Sequence, residues 1–183
     1  MGWSRAELES FAGSTIPDLM PDEPRLLFVG INPGLVSAAT GLHFARRGNR
    51  FYPALVRAGL VDSDDPAEAA VQLRWRGVGI TNLVARASAR ADELDPSELV
   101  EGRERLVSLV RERAPRVVAV AGITSYRTAF GHRTAKPGRQ PDDLAGAEVW
   151  VVPNPSGLNA HETVESLARA YREVAQAAGL LGG

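Results

Sequence analysis

The chain has 183 residues, 44% hydrophobic and 23% charged, the size and balance of one compact domain with a substantial core. It contains no cysteine, which excludes disulfides, cysteine nucleophiles and thiolate-held zinc or iron–sulfur centres. Its three histidines, His43, His132 and His161, lack ligand spacing, and its net charge of −1 does not announce a nucleic-acid partner.

Charge distribution says more than its sum. Of 21 basic residues only Lys136 is lysine. Arg46, Arg47, Arg50 and Arg57 form one basic stretch, and Arg133, Lys136 and Arg139 another. Acidic residues gather at Asp62, Asp64, Asp65 and Glu68. Charge alone favours a solvated mixed surface. No apolar run approaches the ~20 residues of a membrane span. The opening MGWSRAELES has neither the basic nor the apolar region of a signal peptide. A soluble, cytoplasmic, monomeric protein without cofactor is expected.

In chain order, Ser4-Arg5-Ala6-Glu7 is a capping box that starts a helix to about Ala12. The Pro-punctuated TIPDLMPDEP then runs extended along the surface. RLLFVGI at 25–31 is a continuous apolar run, the pattern of a strand buried on both faces. A helix is predicted over 49–60, with Asn49 a candidate cap and Pro53 in its first turn. VGITNLV at 78–84 is a second strand. Asp95-Pro96-Ser97-Glu98 supplies an N-cap, a Pro at N1 and a Glu at N3 for a helix to about Arg113, which Pro115 stops. Strands follow at 117–122 and 147–153. Val164, Leu167, Ala168, Tyr171, Val174, Ala175 and Ala178 recur at helical spacing in a last helix, ended by Gly179. Strands alternating with helices imply a mostly parallel sheet covered on both faces, with ligands bound beyond the strands' carboxyl ends.

Two strands end in unusual polar loops, GINPG at 30–34 and PNPSGLN at 153–159. Pro33 forces Asn32 out of helical conformation and holds it at a strand end. Its amide can orient a water or cap a turn. The P-loop and dinucleotide glycine patterns are both missing. Leu158, at the tip of a stiff loop, suits a wedge that enters a base stack, or tucks into the core. Asn154 can hydrogen-bond a base edge, or cap its loop.

GINPGLVSAATGLHFARRGNRFY at 30–52, taken with NPSGLN at 154–159, resembles the mismatch-specific uracil/thymine DNA glycosylases of the uracil–DNA glycosylase superfamily. ITNLVAR at 80–86 and the helix from Asp95 resemble the family too. The similarity spans most of residues 15–178; the whole chain is expected to be one glycosylase domain, with residues 1–14 a leader outside the resemblance. The resemblance implies a three-layer α/β/α sandwich around a four-stranded, mainly parallel sheet, and double-stranded DNA with mismatched or damaged bases as partner.

The roles implied are these. Asn32 positions the hydrolytic water, where the superfamily's most active members carry aspartate. Phe44 stacks on the flipped base, and Asn154 contacts the pyrimidine O2. Ser37 and His43 line the pyrimidine C5 edge, His43 resembling the thymine-accepting branch. Gly30, Ile31 and Asn82 complete the pocket. Ser156, Gly157, Leu158 and Asn159 fill the gap and read the orphaned guanine. Arg46, Arg47, Arg50 and Lys136 are candidate phosphate contacts. Lys136 and the N-terminus are the only amines available for a Schiff base, so a monofunctional enzyme is expected. The competing readings are a superfamily member acting on hypoxanthine or xanthine, and a non-catalytic nucleic-acid-binding module on the same fold.

Overall fold

A computed structural model describes residues 2–183. The main elements are α1 (Arg5–Glu9), β1 (Leu26–Gly30), α2 (Leu35–Thr40), α3 (Phe51–Ala58), α4 (Pro66–Trp75), β2 (Val78–Asn82), α5 (Pro96–Arg113), β3 (Val117–Ala121), α6 (Ile123–Phe130), β4 (Gly138–Arg139), β5 (Glu148–Val152) and α7 (Val164–Ala177). The sheet order is β2-β1-β3-β5-β4. The four long strands are parallel, and β4 pairs antiparallel with β5. The expected four-stranded sheet is therefore five-stranded. The addition is a two-residue edge, too short to leave any alternating pattern in the sequence.

The apolar runs form strands because helices cover both faces. Phe28 points to one side, among Phe51 of α3 and Tyr171 of α7, with edge-on ring contacts at 5.2 and 5.1 Å. Leu27 and Val29 point to the other, with Leu106 and Val110 of α5 and Tyr126 of α6. Both capping boxes read from sequence are made: Ser4 with Glu7, and Asp95 with Glu98. The predicted helix over 49–60 is the shorter α3, where Asn49 Oδ1 accepts from the Phe51 amide at 2.9 Å.

The extended stretch after α1 lies along β2. Leu19 bridges Ile80 through two main-chain hydrogen bonds of 3.0 and 2.8 Å. Thr81 Oγ1 donates to Asp18 at 2.8 Å. That edge of the sheet is thereby partly paired and does not stand open.

Candidate active site

The carboxyl ends of β1, β2 and β5 open into one cavity of about 170 Å³. In the register of β1 and β2, Gly30 stands beside Asn82. The pairing continues past the strands: the amides of Leu83 and Val84 donate to the carbonyls of Gly30 and Ile31, both at 2.9 Å, and that of Ser88 to Pro33 at 3.2 Å. The loop carrying Asn32 and the loop 83–88 are zipped together.

That zipper orients Asn32. Its Nδ2 donates to the Arg86 carbonyl at 3.0 Å and to Ser88 Oγ at 2.8 Å. A carbonyl only accepts, so the amide's orientation is fixed. Ser88 spends its own hydrogen on the Arg90 carbonyl at 2.7 Å. Both Asn32 N–H groups are thus used, and Oδ1 is left as an acceptor with no donor among the described residues. The guanidinium of Arg86 binds both oxygens of Glu98, at 2.6 and 3.0 Å, tying the loop to the start of α5. This arginine and the amide of Asp95 hold the Glu98 carboxyl down at about 2.

The pocket floor is Gly30. A Cβ there would lie 2.5 Å from Asn82 Oδ1 and 3.3 Å from Phe44 Cζ. Phe44 itself takes a left-handed backbone conformation (φ 53°) and stacks on Phe51, with ring centroids 4.2 Å apart. Its backing in the core thus holds the ring beside the cavity. Ser37 is buried, and its Oγ accepts from the Ala45 amide at 3.3 Å.

His43 is buried with Nε2 2.9 Å from the Pro17 carbonyl. That carbonyl requires the proton on Nε2. Burial lowers the imidazole's pKa, against the opposing effects of the Pro17 carbonyl and Asp18, so the neutral ring presents a bare Nδ1. Asn82 Nδ2 sits 3.4 Å from Nδ1. This turns one Asn82 N–H toward the histidine and leaves the other for a ligand.

On the opposite wall, Asn154 does both things its sequence position allows. Its Oδ1 accepts from the Ser156 amide at 3.0 Å, capping the loop, which leaves Nδ2 as a donor at the cavity. Asn159 Nδ2 braces the same turn by donating to the Asn154 carbonyl at 3.1 Å. Leu158 is 76% exposed at the loop tip, so it is not the core residue that the alternative reading of this loop required.

The basic residues divide. Arg46 and Arg47 are exposed and border a second cavity with Ser156, Gly157 and Leu158. Arg50, expected as a phosphate contact, is instead an internal clamp. Its guanidinium donates to the carbonyls of Ser156 and Asn159 at 2.5 and 2.6 Å, and to that of Glu162. Half-buried and spent on three carbonyls between Ser156 and Glu162, it is not free for a phosphate. Lys136 is exposed beside Tyr126 and His132 at the β4 edge, lining a cavity separate from the one containing Asn32. Sequence reasoning missed Arg86, Ser88 and Pro17, whose contributions run through main-chain carbonyls and a hydroxyl brought in by the fold.

Residues 17–175 match the family model of the uracil DNA glycosylase superfamily. The fold is similar to the solution NMR structure of a Methanosarcina acetivorans protein provisionally described as a uracil DNA glycosylase. The TM-score is 0.59 at 14% identity, over 87% of this chain and 96% of that one. At that identity the likeness speaks for the fold. The family match spans most of the chain and contains every site residue described above, and on that ground the chain belongs to the uracil DNA glycosylase superfamily, as a DNA N-glycosylase whose macromolecular partner is DNA.

Proposed function

We propose that the enzyme is a monofunctional glycosylase that flips uracil, and thymine as a further substrate, out of G·U and G·T mismatches and hydrolyses the N-glycosidic bond. The observation that carries this reading is the locked Asn32 amide, with its one unpaired acceptor at the cavity. The flipped base stacks on Phe44. The free N–H groups of Asn82 and Asn154 are donors for the pyrimidine carbonyls. As the C1′–N1 bond breaks, its electron pair leaves with the base, and these donors stabilise the resulting anion. Asn32 Oδ1 accepts a hydrogen bond from the water whose oxygen bonds to C1′. That water then loses its proton to solvent, and the departed base gains one there. No side chain is asked to act as a strong base.

A mismatch lowers the cost of flipping, which favours G·U and G·T over paired bases. Leu158 fills the space left behind, and Arg46, Arg47 and Lys136 contact phosphates, which makes binding salt-sensitive. With Lys136 remote from Asn32, the product is an abasic site in an unbroken strand.

The test is single-turnover excision from labelled duplexes that each carry one uracil, thymine, hypoxanthine or xanthine, with and without borohydride. Uracil opposite guanine should be released fastest, with no trapped protein–DNA adduct. Asn32→Ala should lose on the order of 10²-fold in rate while still binding the G·U duplex. Fastest release of hypoxanthine or xanthine, a trapped adduct, or an undiminished Asn32→Ala rate would each refute the corresponding part.

A further inference from the structure

Residues 1–16 lie outside the matched family region, yet part of this segment is bonded to the loop that holds Asn32. The Gly13 amide donates to the Ala87 carbonyl, and the Ala87 amide donates to the Ser14 carbonyl, both at 2.8 Å. Ala87 is fully buried. It is the middle residue of Arg86-Ala87-Ser88, whose outer two members receive the two hydrogens of the Asn32 amide. Both main-chain groups of that middle residue are therefore satisfied by the leader. The leader is itself ordered: Trp3 packs edge-on against Phe11 at 5.5 Å, around the capped helix α1, and the Ser14 amide returns to the Phe11 carbonyl at 3.0 Å. Gly13 has φ +82°, and no atom lies within 4 Å of where its Cβ would be.

We propose that residues 3–14 are a strap that sets the position of the 86–88 loop and, through it, the aim of Asn32. Gly13 and Ser14 are thus positioning residues for the hydrolytic step. The proposal rests on the assignment of Asn32 to that step. Without the strap, the Ala87 amide and carbonyl lose their partners, and the middle of the loop that fixes the Asn32 amide is held only through its neighbours, by the bonds of Leu83, Val84 and Ser88 to the 30–33 loop and of Arg86 to α5.

The test compares two replacements at one exposed position. Gly13→Pro removes the N–H and cannot adopt positive φ; Gly13→Asn keeps the N–H and tolerates that conformation. In the full-length protein, Gly13→Pro should slow single-turnover uracil excision by about tenfold or more, with duplex affinity and Tm near wild type. Gly13→Asn should restore the rate. In an Asn32→Ala background, Gly13→Pro should cost nothing further, since the group it aims is gone. Independently of activity, exchange of the Ala87 amide should quicken in Gly13→Pro while amides of β3 stay unchanged. An unaltered Ala87 exchange rate, an unaltered excision rate in Gly13→Pro, or a loss that persists in full without Asn32 would overturn the strap. If the wild-type protein released no uracil from any duplex, the substrate reading would fall, and the exchange measurement would still decide whether the leader holds the loop.

Discussion

Replacing Gly30 with alanine isolates the geometry of the proposed base pocket, because Gly30 has no positive φ and alanine is conformationally allowed there. The added methyl would meet Asn82 Oδ1 at 2.5 Å, where real contacts of this kind essentially never fall below 3.0 Å. The amide must therefore retreat by about half an ångström, and the Phe44 ring, at 3.3 Å, by a few tenths. The contact of Asn82 with His43 Nδ1 is already long at 3.4 Å, so it breaks, and the amide loses the partner that directs its second N–H. Misplacement on this scale costs roughly 10- to 100-fold in rate, equivalent to about 1.4–2.7 kcal/mol of transition-state stabilisation. Single-turnover excision from a G·U duplex at saturating enzyme measures it, with Tm recorded alongside. The double variant Gly30→Ala/Asn82→Ala should be only slightly slower than Asn82→Ala alone, because the closest atom in the way has gone and only the small shift of Phe44 remains. A wild-type rate in Gly30→Ala, or a loss that adds in full to that of Asn82→Ala, would refute the argument.

Leu158→Ala should slow uracil release from duplex DNA more than from single strands, where there is no stack to hold open; because Leu158 is exposed, Tm should not move. Burial lowers the His43 pKa below its ordinary 6.5, so the ring is neutral at pH 7. Protonation as pH falls below 6.5 puts a second N–H at Nδ1, against the N–H of Asn82. Excision should therefore show an acid limb in that window that His43→Gln lacks, and native stability should decline over the same range as His43 is forced to charge.

The strands were legible because both faces of the sheet are covered, which turns β1 and β3 into uninterrupted apolar runs. The helices α2, α4 and α6 were not. In α2, the six residues LVSAAT follow Gly34 with no capping side chain. In α4, Asp65 does cap the amides of Ala67 and Glu68 at 3.0 Å, but only Ala69 and Leu73 are buried, so the apolar period is faint and the segment reads as an acidic surface cluster. The two site loops were readable from their prolines and glycines. Arg50 was not, since an arginine beside exposed arginines gives no sign that three carbonyls more than a hundred residues away will enclose it. The partners of Asn32 are likewise 54 and 56 residues distant, so its orientation exists only after the loops have zipped.

On the role proposed for Asn32, that orientation bears on why an asparagine would serve where an aspartate is the stronger activator of water. In this cradle, the position of Nδ2 is defined by two acceptors, the Arg86 carbonyl at 3.0 Å and Ser88 Oγ at 2.8 Å. Ser88 cannot turn donor without releasing the Arg90 carbonyl. An aspartate would set an anionic oxygen against the Arg86 carbonyl oxygen with no hydrogen between them, and its other oxygen would be pushed off the line of Oδ1. Asn32→Asp should therefore excise uracil more slowly than wild type, despite the gain in basicity. Single-turnover rates from pH 6 to 9 check this, and a faster Asn32→Asp enzyme would mean that the 86–90 loop adapts to residue 32. The modest activation offered by an amide is on this argument a property of the loop, and a change to aspartate would require a new donor at position 86 or 88 before it could raise the rate.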